Sequence, residues 1–289
     1  MRPFEWLTVV AAAGMALVTA AVQPSGALPR LLVFLAIAAA TPLLARAAAR
    51  PATQFLRDWL PVVEILVVFL LLQPIIEATA TWRLDAALAA LDARYLARLV
   101  EAWRGAFGRP AAFTDAMYLA YVSYYFLPLT AAAIAWRRGP EVFGRAVFPL
   151  LLGFYLSYLG YLVLPAAGPR LPPAAEAALL GGGALSGAVR AFLRAAEATT
   201  LDAFPSGHTA VALIAAAGGS RLVGRGGAAA LWLWAAAIVF STVYLHVHYA
   251  VDVLAGIALA LLVLGTERLR PSRLGRPAVA ALDEPPSGT

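Results

Sequence analysis

The chain holds only three histidines, and they fall in two short segments at the edges of apolar stretches. His208 lies in Phe204-Pro205-Ser206-Gly207-His208-Thr209. His246 and His248 lie in the run from Ser241 to Asp252, Ser-Thr-Val-Tyr-Leu-His-Val-His-Tyr-Ala-Val-Asp. Histidine is the side chain best suited to proton transfer near neutral pH. His248 and Asp252 are four apart, so on one helix they share a face. There the carboxylate can accept the imidazole Nδ1–H and leave Nε2 as a nucleophile or base. An aspartate this close to a membrane is costly without a partner and a purpose; the plainer alternative is a structural His–Asp bond joining two spans.

Two further segments could serve the same chemistry. Pro205-Ser206-Gly207-His208 opens an apolar run, and proline suits the first turn of a helix. Free amides at Ser206, Gly207 and His208 would then form a positive helix end that suits a phosphate oxygen, with His208 placed to protonate a leaving oxygen. Arg170 closes the segment Tyr161-Leu162-Val163-Leu164-Pro165-Ala166-Ala167-Gly168-Pro169-Arg170. An arginine at such an edge is commonly a snorkelling anchor, but its planar fork can also clamp a phosphate.

At these residues the chain resembles the type 2 phosphatidic acid phosphatase superfamily, whose pattern is Lys-x6-Arg-Pro, Pro-Ser-Gly-His and Ser-Arg-x5-His-x3-Asp. The second part is complete in Pro205 to His208, and the third matches at Ser241, His248 and Asp252. The departures are Thr242 in place of the arginine, Val163 in place of the lysine, and a proline displaced to Pro172. This altered form is similar to the subgroup containing inositol phosphorylceramide synthases. The resemblance covers about 59–266.

The resemblance implies a metal-independent enzyme without cofactor, working on a lipid substrate in the membrane. His248 would attack phosphorus to form a phosphohistidine, Asp252 would orient it, and His208 would act as acid and then base. Arg170, Ser206, Gly207, Ser241, Thr242 and His246 would bind the substrate, with Arg170 and the amides at 206–208 on the phosphate oxygens. A phosphomonoester brings about −1.5 to −2 charge at neutral pH, whereas a phosphodiester brings one. A pocket with Arg170 as its one secure cation fits the diester, unless Arg83, Arg109, Arg190 or Arg194 folds over the site. Competing readings are a lipid monoester or polyprenyl diphosphate phosphatase, and an inactive lipid-binding membrane protein.

His246 and His248, two apart, would point to different faces of a helix, which argues against a shared metal ion. His246, one turn from Thr242, could replace some of the missing charge; a rim position is the plainer expectation. Tyr118, Tyr121 and Tyr125, with Tyr158 and Tyr161, fit an interface belt, and some could touch a polyol headgroup. Glu64 is expected to face the bundle interior away from catalysis.

The positioning elements follow from composition. The sequence is 62% hydrophobic and 13% charged, with mean hydropathy +0.79, which predicts an all-α, polytopic membrane bundle. There is no cysteine, hence no disulfide framework, and all 22 basic residues are arginine. The net charge of +6 is spread between apolar runs and forms no patch for nucleic acid, so it is expected to anchor helix ends. A span needs about 20 apolar residues, and eight stretches qualify: roughly 5–22, 31–45, 59–76, 113–135, 146–165, 205–224, 227–246 and 249–266. With the N-terminus inside, 13 arginines fall on the inner face and 9 on the other, where acids offset them. That places Arg170, His208 and His248 on the outer face, as in a bacterial plasma membrane with a periplasmic or extracellular site.

The expected organisation is two N-terminal spans in 1–58, a six-span catalytic core in 59–266 and a disordered cytoplasmic tail in 267–289. The first stretch also fits a cleaved signal peptide, though its apolar run is long and its small-residue site poor. Amphipathic segments at 84–103 and 186–198 suit the membrane interface or packing on the bundle. No internal repeat is evident, and the sequence leaves the oligomeric state open.

Overall fold

The structure is a computed structural model that describes residues 1–47, 51–108, 110–196 and 199–268. Arg50, Arg109, Glu197 and 269–289, most of the expected tail, lie outside the described residues.

Fourteen helices account for the described chain, in this order: α1 (Pro3–Val22), α2 (Ala27–Ala47), α3 (Pro51–Leu71), α4 (Gln73–Thr79), α5 (Asp85–Tyr95), α6 (Ala97–Phe107), α7 (Ala111–Val122), α8 (Leu127–Trp136), α9 (Pro140–Val163), α10 (Pro173–Leu180), α11 (Ala184–Ala196), α12 (Gly207–Ser220), α13 (Arg225–Tyr244) and α14 (Ala250–Arg268). No β-strand occurs among the described residues; one isolated bridge joins Ala166 and Asp202. The all-α bundle expected from composition is therefore the fold.

Five helices, α1, α2, α9, α13 and α14, are long and apolar enough to cross a bilayer. Two expected spans are bent pairs. The break between α3 and α4 turns the chain by 51°, and that between α7 and α8 by 43°. In both, proline opens the second helix: Pro74 in α4 and Pro128 in α8, where the ring needs no N–H donor. The sixth expected span is shorter than drawn. α12 has 14 residues, about 21 Å of rise against a core of about 30 Å. Its sequence is small and apolar all round, which suits a helix buried on every side, and it packs against α8, α9, α13 and α14. The expected interfacial helix at 84–103 is two helices, α5 and α6, broken at Leu96. The expected 186–198 helix is α11, preceded by an unforeseen short helix, α10.

Two apolar cores meet on α9. One gathers Phe4, Phe34, Ile65, Phe143 and Leu151 from α1, α2, α3 and α9. The other gathers Leu150, Val211, Ile214, Leu231, Ile238 and Val263 around α12. Leu17, Leu233 and Leu261 are exposed on the outside of the bundle, as lipid-facing positions should be. Glu64 is buried against the Thr41 hydroxyl, 3.3 Å away, and does not line the cavity described below.

The end of the bundle that holds the N-terminus is tied by ions. Glu5, fully buried, accepts from Arg2 Nε at 2.8 Å and Arg57 Nε at 2.7 Å. Asp58 accepts from Arg2 Nη1 at 2.6 Å and Trp136 Nε1 at 3.2 Å. Removing one member of a buried ionic cluster leaves the others uncompensated. Glu5→Ala is therefore expected to lower stability by about 3 kcal/mol, read as a drop in thermal midpoint in detergent. Turnover per folded molecule should be kept, because the cluster lies at the other end of α9 from Arg170.

Candidate active site

Three chain segments meet at the other end. The first is the loop after α9. Its backbone is held by α5: Asp85 Oδ1 accepts from the amides of Ala167 at 2.8 Å and Gly168 at 3.1 Å. Gly168 adopts φ +77°, and a Cβ there would meet the Val247 carbonyl oxygen at 2.6 Å, so only glycine fits beneath the histidine turn. The second segment leads into α12. Ser206 is the N-cap, accepting from the Thr209 amide at 3.3 Å. The third is the turn between α13 and α14, where Thr242 C=O accepts from the amides of Val247 and His248 at 3.0 and 3.2 Å. Asp92 of α5 accepts from the Val251 amide at 3.2 Å. Asp85 and Asp92 are two turns apart on one helix, so α5 straps together the segments that carry Arg170 and Asp252.

The two imidazoles are brought side by side, with ring centroids 5.6 Å apart. His208 stacks on Tyr121 at 4.7 Å and lies 4.2 Å from the Tyr124 ring. Ring contacts at these distances fix the orientation of the imidazole. His248 lies deeper, only 2% exposed, and its Nδ1 is 3.5 Å from Asp252 Oδ2. The same carboxylate oxygen accepts from the Tyr249 amide at 2.8 Å. His248 thus sits in the turn before α14, not on the helix as the four-residue spacing suggests, yet that spacing still brings it to Asp252.

Arg170 Nη2 donates to Asp202 Oδ1 at 2.7 Å. Both side chains, with Gly207, His208 and His246, line a cavity of about 390 Å³, within the usual size range of small-molecule sites. One end is polar. The rest is walled by Ile65, Leu66, Phe69, Leu150, Leu151 and Phe154, an apolar trough between α3 and α9 that suits a hydrocarbon chain.

The other expected site residues take the following positions. Ser241 and Thr242 do not line this cavity. They occupy the last turn of α13, and their hydroxyls donate to the carbonyls of Ile238 and Val239, each at 2.7 Å. His246 is not on a helix: it takes a left-handed φ of 59° in the turn and forms part of the wall. The amides that open α12 are not all free for a phosphate. Ser206 N–H donates to Asp252 C=O at 3.1 Å, and the Tyr161 hydroxyl lies against Gly207.

Arg190 and Arg194 also reach the cavity wall, as does Glu176. Arg190 lies over the Tyr118 ring at 5.3 Å, Tyr118 donates to Glu176 at 2.5 Å, and Arg194 is 3.7 Å from Glu176. The start of α11, the helix bearing these arginines, is pinned by Asp115 of α7, which accepts from the amides of Gly183 and Ser186, both at 2.9 Å. Arg83 instead pairs with Asp85 at 3.0 Å.

Four contributors lie outside the sequence motifs. Tyr124 is aimed at His208 by the 3-10 turn Ser123–Tyr125, which strict helical spacing does not anticipate. Asp202 carried a signal, an acid three residues before Pro205, but looks like one more offsetting charge. Asp85 and Asp92 look the same on an amphipathic strap.

Neither curated proteins nor solved structures give a match. A family model described as the PAP2 superfamily, that of the type 2 phosphatidic acid phosphatases, matches residues 86–266. The match runs from α5 to the end of α14 and takes in all three segments of the site; α1 to α4 lie outside it. Because it spans well over half of the sequence, the chain belongs to the PAP2 superfamily, and with its apolar helices it is an integral membrane protein of lipid phosphatase type.

Proposed function

We propose that this protein moves a phosphate-containing headgroup between lipids through a phosphohistidine on His248, as inositol phosphorylceramide synthases do. The observation that carries the reading is the pairing of His208 with His248, backed by Asp252, beside Arg170 at the polar end of an apolar cavity. In the first step Nε2 of His248 bonds to phosphorus and the bond to the leaving alcohol oxygen breaks. His208, as imidazolium, gives that oxygen its proton. In the second step the acceptor hydroxyl attacks phosphorus, the P–N bond breaks, and His208 recovers the proton. Asp252 stabilises the charge on the His248 ring, and Arg170 stabilises the equatorial oxygens. His248 is buried, so His208 or the 245–248 turn must shift to admit phosphorus. The site would face the outer side of the membrane, since the opposite end of the bundle gathers Arg2, Arg57, Arg137, Arg138 and Arg221.

The charge count supports the diester over the monoester. Arg170, Arg190 and Arg194 are set against Asp202 and Glu176 on the same wall, so a single negative charge completes the balance. The second reading, hydrolysis of a lipid monoester or diphosphate, is favoured by Arg190 and Arg194 themselves, which could turn onto a more highly charged headgroup. The purified protein in mixed micelles should consume a phosphodiester lipid such as phosphatidylinositol faster when a lipid alcohol is present. Rapid release of inorganic phosphate from phosphatidate, indifferent to the alcohol, would establish the hydrolytic reading instead.

A further inference from the structure

We infer that Asp202 is the specificity-determining residue of this site, holding Arg170 as an ion pair so that the cavity admits a monoanionic phosphodiester over a dianionic monoester. The inference rests on the cavity being the phosphate site. Asp202 Oδ1 and Arg170 Nη2 are 2.7 Å apart, with side chains 12% and 23% exposed, and both belong to the cavity wall that includes His208. The carboxylate cannot swing away freely. The Ala203 amide donates to Ala166 C=O at 2.9 Å. Upstream, Gln73 Oε1 accepts from the Thr199 hydroxyl at 2.5 Å and the Thr200 amide at 2.8 Å. Asp202 is thus fixed from both sides, on the short approach to the Ser206 cap.

An entering phosphate therefore meets an ion pair, not an isolated cation. A diester presents one negative charge to Arg170. A monoester brings a second charge that Arg170 is already spending on Asp202, and that repels the carboxylate directly. At ångström separations and protein-like dielectric, one unit charge shifts binding well beyond tenfold. Asp202 acts on the substrate through Arg170 and through its own charge, without touching the reacting atoms.

The test compares kcat and KM for phosphatidylinositol and for phosphatidate in the same mixed micelles. Asp202→Asn keeps the shape and removes the charge. It is expected to raise the phosphatidate-to-phosphatidylinositol ratio of kcat/KM by at least about tenfold, mainly through a lower KM for phosphatidate. Inhibition by orthovanadate should tighten in parallel. Asp202→Glu should restore the wild-type ratio, and Asp202→Ser serves if the asparagine variant does not fold. An unchanged ratio in a folded variant, or equal loss on both lipids, overturns the role of Asp202 alone. If wild type turns over neither lipid, or His248→Gln turns over both, the reading of the cavity fails first.

Discussion

Replacing His248 with glutamine is expected to lower turnover by at least about 10³-fold and to abolish covalent labelling by a radiolabelled phospholipid. Glutamine is near in size and polar, but its amide nitrogen carries no lone pair able to attack phosphorus. The buried position of His248, 2% exposed, means the change leaves a filled site, so the fold should survive and the loss should be in kcat. His208→Gln makes the informative contrast. It removes the proton donor, 5.6 Å away between centroids, but not the nucleophile. A substrate whose leaving group needs no proton, such as a p-nitrophenyl phosphodiester, should still phosphorylate His208→Gln and not His248→Gln. The measurement is a quenched-flow trap followed by acid and base treatment, since a phosphoramidate bond breaks in acid and survives base. Label that persists in His248→Gln would remove His248 as the nucleophile, and with it the two-step mechanism.

The parts of this molecule that the sequence discloses are those governed by local rules. Long apolar runs require helices, because lipid leaves a backbone no other way to satisfy its polar groups, and α1, α2, α9, α13 and α14 follow. The motif residues His208, His248, Asp252 and Arg170 meet because each stands in the first turn of a helix or in a connection at the same end of the bundle. What stayed hidden depends on backbone geometry between the helices. Two spans bend at Pro74 and Pro128, which reads in sequence as one continuous apolar stretch. Ser241 stands at its family position and Thr242 in the slot of the family arginine, yet the hydroxyls of both return to their own helix, as short polar side chains near a helix end often do. Asp85, Asp92 and Asp202 are indistinguishable in sequence from solvent-facing acids. Their meaning is in what they cap and clamp, namely the loop amides of Ala167 and Gly168, the start of α14, and Arg170.

Gly256→Val is expected to damage the site from outside it. Gly256 lies one turn beyond Asp252, where α14 crosses the beginning of α12. A Cβ at this position would stand 2.6 Å from the Ser206 carbonyl oxygen and 2.8 Å from Thr209 Cβ. Neither neighbour can yield. The Ser206 carbonyl is the cap oxygen that accepts from the Ala210 amide at 3.0 Å, and Thr209 belongs to the first turn of a helix packed on all sides. The two helices must therefore separate, and the Ser206 N–H to Asp252 C=O bond of 3.1 Å lies in the seam that opens. That seam fixes His208 relative to Asp252 and His248. Overpacking a close contact costs about 1–3 kcal/mol, and a displacement of about 1 Å at reacting groups costs about 10²-fold in rate. Gly256→Ala should show the lower end of both effects and Gly256→Val the upper end. Gly218→Ala is the control: it is in α12 as well, a Cβ there meets nothing within 4 Å, and alanine is the better helix former by about 1 kcal/mol. It should hold or raise the thermal midpoint with turnover unchanged. A Gly256→Ala protein with wild-type kcat in the same detergent would show that the contact between α12 and α14 does not set the distance between the catalytic rings.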